Sequence, residues 1–141
     1  MSRLYLLDTN TVSYIIKGKS TASRAKLAAL KRDEDACISS VTEAELLYGL
    51  AKSGASDQRR KALDWFLLRL KVLPWGHEEA AAYGLLRAKQ ESMGKPLGPL
   101  DTQIAAHAVA IGAIVVTNDN AFHQVPELVG VENWAIDLPT I

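Results

Sequence analysis

Asp8, Glu45, Asp101 and Asp119 stand where this 141-residue sequence places strand ends or helix starts. They occur in Leu-Leu-Asp8-Thr9-Asn10, Ile-Ser-Ser-Val-Thr42-Glu43-Ala-Glu45, Gly98-Pro99-Leu-Asp101 and Val-Val-Thr117-Asn118-Asp119. Carboxylate oxygens are the ligands that hard divalent cations prefer, and Mg²⁺ is held by a few of them together with water and substrate phosphates. Acids this far apart in sequence do such chemistry only when the fold gathers them. The elements around each one therefore decide its role.

Residues 4–7 form a short apolar run ended by Asp8, the pattern of a buried strand. Val12, Ile15 and Ile16 then fall at helical spacing over residues 11–17, closed by Gly18. A second helix is expected over residues 21–31, a short strand over 36–39, and a helix over 42–52. After a loop at 53–56 come a helix over 59–70, an extended segment at 72–74 and an Ala-rich helix over 77–93. The Gly/Pro-rich stretch 94–99 is a loop, followed by a helix over 100–111. The β-branched run 113–117 predicts a strand, 118–120 a turn, and 134–136 a last strand. Continuous apolar strands separated by helices indicate an α/β fold with a parallel sheet covered on both faces. Ligands of such folds bind beyond the carboxyl ends of the strands. Asp8, Glu45 and Asp119 map to that edge, and Asp101 starts the helix that leads into the 113–117 strand.

Each acid also has a purely structural reading. Asp8 or Thr9 suits a helix N-cap, Thr42 with Glu45 has the spacing of a capping box, Asp101 suits a first helical turn, and Asp119 suits a turn. Four caps on one sheet edge explain the set less well than one cation site does, and a cap can also bind metal. Glu43 competes with Glu45, but residues two apart on a helix face different ways. The capping-box spacing favours Glu45 for the site and leaves Glu43 to solvent.

Composition narrows the class. The chain is 48% hydrophobic, enough for one domain spanning 1–141 with a proper core. Sixteen basic residues balance sixteen acidic ones, so no overall positive field advertises a nucleic acid. Two local basic stretches remain, Lys17 to Arg32 and Arg59 to Lys61, which as solvated helix faces would carry no function. Cys37 is the only cysteine, which suits a reducing cytosol and a small core residue. Signal-peptide and membrane-span patterns are missing, so the expected setting is cytoplasmic. Gly18-Lys19-Ser20 lacks the upstream glycine and strand of a P-loop, and no Gly-x-Gly-x-x-Gly follows the first strand. His77, His107 and His123 lack zinc-ligand spacing, and His107 reads as a structural residue or a support for Asp101.

Taken in order, the four motifs, including Glu45-Leu-Leu-Tyr-Gly49 and Asp101-Thr-Gln-Ile-Ala-Ala-His, resemble those of PIN-domain ribonucleases. They are most similar to VapC toxins of bacterial VapBC toxin–antitoxin modules. The resemblance spans essentially the whole chain. It implies a three-layer α/β/α fold and a Mg²⁺- or Mn²⁺-dependent endoribonuclease acting on RNA, with tRNA the favoured substrate. Asp8, Glu45, Asp101 and Asp119 would then hold the metal, with Asn10 and Thr117 in support. A homodimer and a VapB-type antitoxin are implied as well; Ile15, Ile16 and Leu27 on the first helices offer apolar surface for the latter, against the favoured reading of these three as plain core residues. A receiver domain would need paired early acids and a Lys near the last strand, and this chain has neither. A catalytically silent PIN-like module binding RNA or protein would be marked by loss of an acid, and none is lost.

Overall fold

The computed structural model describes residues 2–54 and 56–141; residue 55 of the expected 53–56 loop lies outside them. The chain runs β1 (Arg3–Leu7), α1 (Thr9–Lys17), α2 (Thr21–Ala28), β2 (Glu34–Ser39), α3 (Ser40–Lys52) and α4 (Asp57–Arg69). It continues with β3 (Lys71–Leu73), α5 (His77–Ser92), α6 (Pro99–Ile111), β4 (Ile114–Val116), a 3₁₀ turn (Asn120–Gln124) and β5 (Val131–Glu132). All strand pairs are parallel, in the order β3-β2-β1-β4-β5. The first strand is thus central, and the chain order reverses beside it. Such a switch point opens a crevice at the carboxyl edge.

Side chains alternate across a strand, and here they feed two cores. Leu6, Cys37 and Val115 face α5 and α6, packing on Leu86, Ile104 and Phe122. Tyr5, Leu7, Ile38 and Val116 face the opposite way, onto Val12, Ile15 and Phe66 of α1 and α4, with Leu27 of α2 at the margin. The result is the expected three-layer α/β/α sandwich. Burial raises the Cys37 thiol to about 12, so it behaves as the small core residue its sequence context suggests.

Two expectations need correction. The last strand is Val131–Glu132 rather than 134–136. Trp134 is buried because its ring packs on Tyr5, with centroids 5.3 Å apart, while Ile136 is 78% exposed. The third helix starts at Ser40, capped by Ser39, whose side chain accepts from the Val41 N–H at 3.1 Å. The Thr42–Glu45 capping box therefore does not form.

Candidate active site

The carboxyl edge is assembled by short, strongly fixed connections. Asp8 follows β1 directly; its backbone N–H donates to the Val116 carbonyl of β4 at 3.0 Å. Its carboxylate caps α1 by accepting the Thr11 N–H at 2.8 Å. Asp119 follows β4 by way of Thr117 and Asn118, and its N–H donates to the Thr117 hydroxyl at 3.0 Å. One oxygen of Asp119 accepts the Ala121 N–H at 2.9 Å, starting the 3₁₀ turn. Asp101 sits in the first turn of α6, which begins at Pro99. A crossover helix runs antiparallel to the strands, so its N-terminus lies at their carboxyl edge. That places Asp101 beside residues following β1 and β4.

The electrostatics show which acids meet. Asp101 has its pKa raised from 3.8 to about 6, first by burial, then by the charge of Asp119 and then by Asp8. The helix N-terminus favours the ionised form, but burial and two like charges outweigh it. Asp8 is buried at 3% exposure, and its carboxyl is also pushed up. Burial is the main cause, opposed by the Thr117 hydroxyl and by the backbone and side chain of Thr11, with Asp119 adding to the rise. Three acids from three separate motifs thus share one electrostatic environment. None of them takes part in the ion pairs seen among the described residues.

Glu45 is placed differently. It is exposed and lines a cleft of about 660 Å³ together with Thr9 and Asn10, which follow Asp8. Glu43 is half-buried instead of exposed, the reverse of the expectation drawn from the capping box. Among the described residues, no three His, Cys, Asp or Glu side chains converge at metal-ligating spacing. The trio therefore interacts through its charges over a wider separation than a closed coordination shell.

Thr117 is buried; its hydroxyl accepts the Asp119 N–H at 3.0 Å and holds the Asp8 carboxyl lower than burial alone would. Asn10 is exposed on the cleft wall. His107 is 1% exposed on α6, and among the described residues neither ring nitrogen has a protein partner; burial lowers its pKa, opposed by Glu79.

Other supports went unnoticed in the sequence. The Thr9 hydroxyl donates to that of Thr42 at 3.3 Å, joining α1 to α3. Trp75 ties the start of α3 to α6 by donating from its backbone to the Ser40 hydroxyl at 3.0 Å and from its ring to the Gln103 carbonyl at 3.2 Å. A tryptophan just after Pro74 offered no more signal than ordinary packing.

The two basic stretches meet on the helical face that carries Glu45 and the cavity adjoining it. Lys17 and Arg59 line the same cleft as Glu45. An adjoining cavity of about 610 Å³ is lined by Ile15, Ile16, Leu27, Trp65 and Phe66, with Arg24, Lys61 and Arg69 among its polar residues.

The sequence matches the PIN domain family over residues 5–128. The chain belongs to that family. Among PIN-domain relatives, Ribonuclease VapC2 of Rickettsia felis is 37% identical over 132 residues, 93% of this chain and 98% of the relative. The tRNA(fMet)-specific endonuclease VapC of Salmonella typhimurium is 37% identical over 131 residues, 92% of this chain and 97% of the relative. The solved structure of VapBC2 from Rickettsia felis, bound to a DNA fragment from its promoter, contains a similar chain. It superposes with a TM-score of 0.87 at 37% identity, over 93% of this chain and 98% of that one. DNA-bound VapBC from Salmonella typhimurium gives a TM-score of 0.85, covering 95% and 99%. This PIN domain is a ribonuclease of the VapC type.

Proposed function

We propose that this VapC-type ribonuclease is the toxin of a type II toxin–antitoxin pair and cuts tRNA within the cytoplasm, using Mg²⁺, with Mn²⁺ as a substitute. Asp8, Asp101 and Asp119 would hold the cation, with Glu45, exposed on the cleft wall, as the fourth carboxylate of the set. The observation that carries this reading is the gathering of Asp8, Asp101 and Asp119, where burial first and then the charges of Asp119 and Asp8 raise Asp101 to about 6. An all-oxygen donor set that forms no ion pair among the described residues suits a hard divalent ion.

A divalent cation held by these residues would supply Lewis-acid charge and a water activated at neutral pH. The protein's own residues provide placement. The Thr11 N–H holds the Asp8 carboxylate, the Ala121 N–H holds that of Asp119, and the Thr117 hydroxyl accepts the Asp119 backbone N–H. Without a cation the acids repel phosphate, so cleavage requires the metal. Lys17 and Arg59 receive the RNA backbone as it leaves the acids along the cleft.

Relatives solved as VapBC complexes support a VapB-type antitoxin as partner. The apolar cavity around Ile16, Leu27 and Trp65 suits its docking, whereas Ile15 is 5% exposed and belongs mainly to the core. An antitoxin arginine among the acids would supply the missing positive charge. Exposed Leu47 and Tyr48 on α3 offer apolar surface for a homodimer. The relative described as a tRNA(fMet)-specific endonuclease makes tRNA the substrate to test first.

Calorimetric titration of the antitoxin-free protein with Mn²⁺ tests the site. Wild type should bind, and Asp8→Asn and Asp101→Asn should each weaken binding at least about tenfold. Equal affinities in all three proteins would remove these acids from the metal site.

A further inference from the structure

Residues 139–141 are exposed and contribute nothing to either core, yet they are stitched to the turn that carries Asp119. The Ile141 N–H donates to the Asn118 carbonyl at 2.9 Å, and the Asn120 N–H donates to the Ile141 carbonyl at 3.1 Å. The Asn118 side-chain amide donates to the Pro139 carbonyl at 3.1 Å. Both neighbours of Asp119 are thereby held by one residue of the segment. Asn118 itself is 2% exposed, and its amide also reaches the Tyr14 hydroxyl at 3.4 Å.

The residues just before the segment are anchored too. Asp137 accepts from the Ser20 hydroxyl at 2.7 Å and from the Ala22 N–H at 3.2 Å at the start of α2. The Leu138 N–H donates to the Ala135 carbonyl at 3.0 Å. The chain therefore spans from α2 to the site with both ends fixed.

Burial does not account for this arrangement. What it does is add non-local ties to a turn that otherwise depends on its own bonds. Asp119 lies between a three-residue strand and a five-residue 3₁₀ turn, and 3₁₀ geometry holds its residues less firmly than an α-helix does. A functional carboxylate must stay within about 0.5 Å of its working position, which requires support from outside its own loop.

We propose that residues 139–141 act as a positioning clasp: by bonding to residues 118 and 120 they fix the Asp119 carboxylate relative to Asp8 and Asp101. This rests on the reading of Asp119 as one of the metal-holding acids. Because the backbone-to-backbone ties to residues 118 and 120 come from the Ile141 N–H and carbonyl, that side chain is dispensable, whereas its N–H is not.

The test is calorimetric Mn²⁺ affinity in a double-mutant scheme. Removal of residues 139–141, Ile141→Pro and Ile141→Ala are each made in wild type and in Asp119→Asn, with circular dichroism to confirm folding. Removal and Ile141→Pro should weaken Mn²⁺ binding about tenfold in wild type, the usual effect of losing a support of a metal ligand. Ile141→Ala should bind as wild type, and neither of the first two should weaken Asp119→Asn further. Wild-type affinity in both tail variants, with Asp119→Asn weakened, would overturn the clasp while leaving the site intact. An equal further loss in Asp119→Asn would also overturn it, since the effect would bypass Asp119. Unchanged affinity in Asp119→Asn alone would refute the underlying assignment of that acid.

Discussion

Replacing Asp101 by Asn should make the metal-free protein more stable while abolishing cleavage. The Asp101 carboxyl rises from 3.8 to about 6 on folding. At 1.36 kcal/mol per pH unit that corresponds to about 3 kcal/mol of strain in the ionised state. The residue is partly exposed, so solvent screening reduces the figure to about 1–2 kcal/mol. Asn also forfeits the attraction of a first-turn carboxylate to the helix N-terminus, about 0.3–1 kcal/mol. A net gain of about 1 kcal/mol remains, which for a domain of this size is about 3 °C in Tm. The sign follows from the direction of the shift. With the folded pKa above 3.8, the penalty is absent below pH 3.8 and is fully present once pH exceeds about 6. The difference between Asn variant and wild type should therefore close as pH falls through that window. Thermal unfolding in chelator across this pH range, with cleavage measured in parallel, is the assay. An Asn variant less stable than wild type above pH 6, or one that still cleaves, would refute the reasoning.

Asp8→Asn should fold normally, since Asn caps a helix as well as Asp, but lose cleavage. Asp8→Ala should additionally cost about 1 kcal/mol through the lost bond to the Thr11 N–H, read by urea unfolding. Trp134→Ala should destabilise the protein by about 3–5 kcal/mol, because the ring is 4% exposed and packs on Tyr5. Ile16→Arg, in the wall of the apolar cavity, should weaken capture of a VapB-type antitoxin in pull-down while sparing Mn²⁺ binding.

Strands whose apolar character is continuous were legible in the sequence. Residues 4–7 and 113–117 have no polar residue before their ends, and the sheet places β1 and β4 there. The two residues of β5 are too few to show a period, and Trp134 imitated a strand because its burial comes from aromatic stacking. Helix starts moved by a few residues wherever several cap-forming residues stood in a row. Ser39, Ser40 and Thr42 all qualify, and Ser39 caps because it ends β2 in an extended conformation. That shift is why the contest between Glu43 and Glu45 could not be settled by spacing. The gathering of Asp8 and Asp119 followed from parallel strands, and that of Asp101 from the direction of a crossover helix. The ties made by residues 139–141 and by Trp75 left no mark, because hydrogen bonds to backbone carbonyls do not depend on recognisable motifs.

The most direct measurement is cleavage of total tRNA by purified antitoxin-free protein, with Mg²⁺ or Mn²⁺ and with excess chelator. A discrete fragment that appears only with metal, and is lost in Asp8→Asn, is the expected result. Cleavage that persists in chelator or in Asp8→Asn would contradict a nuclease site built from these acids.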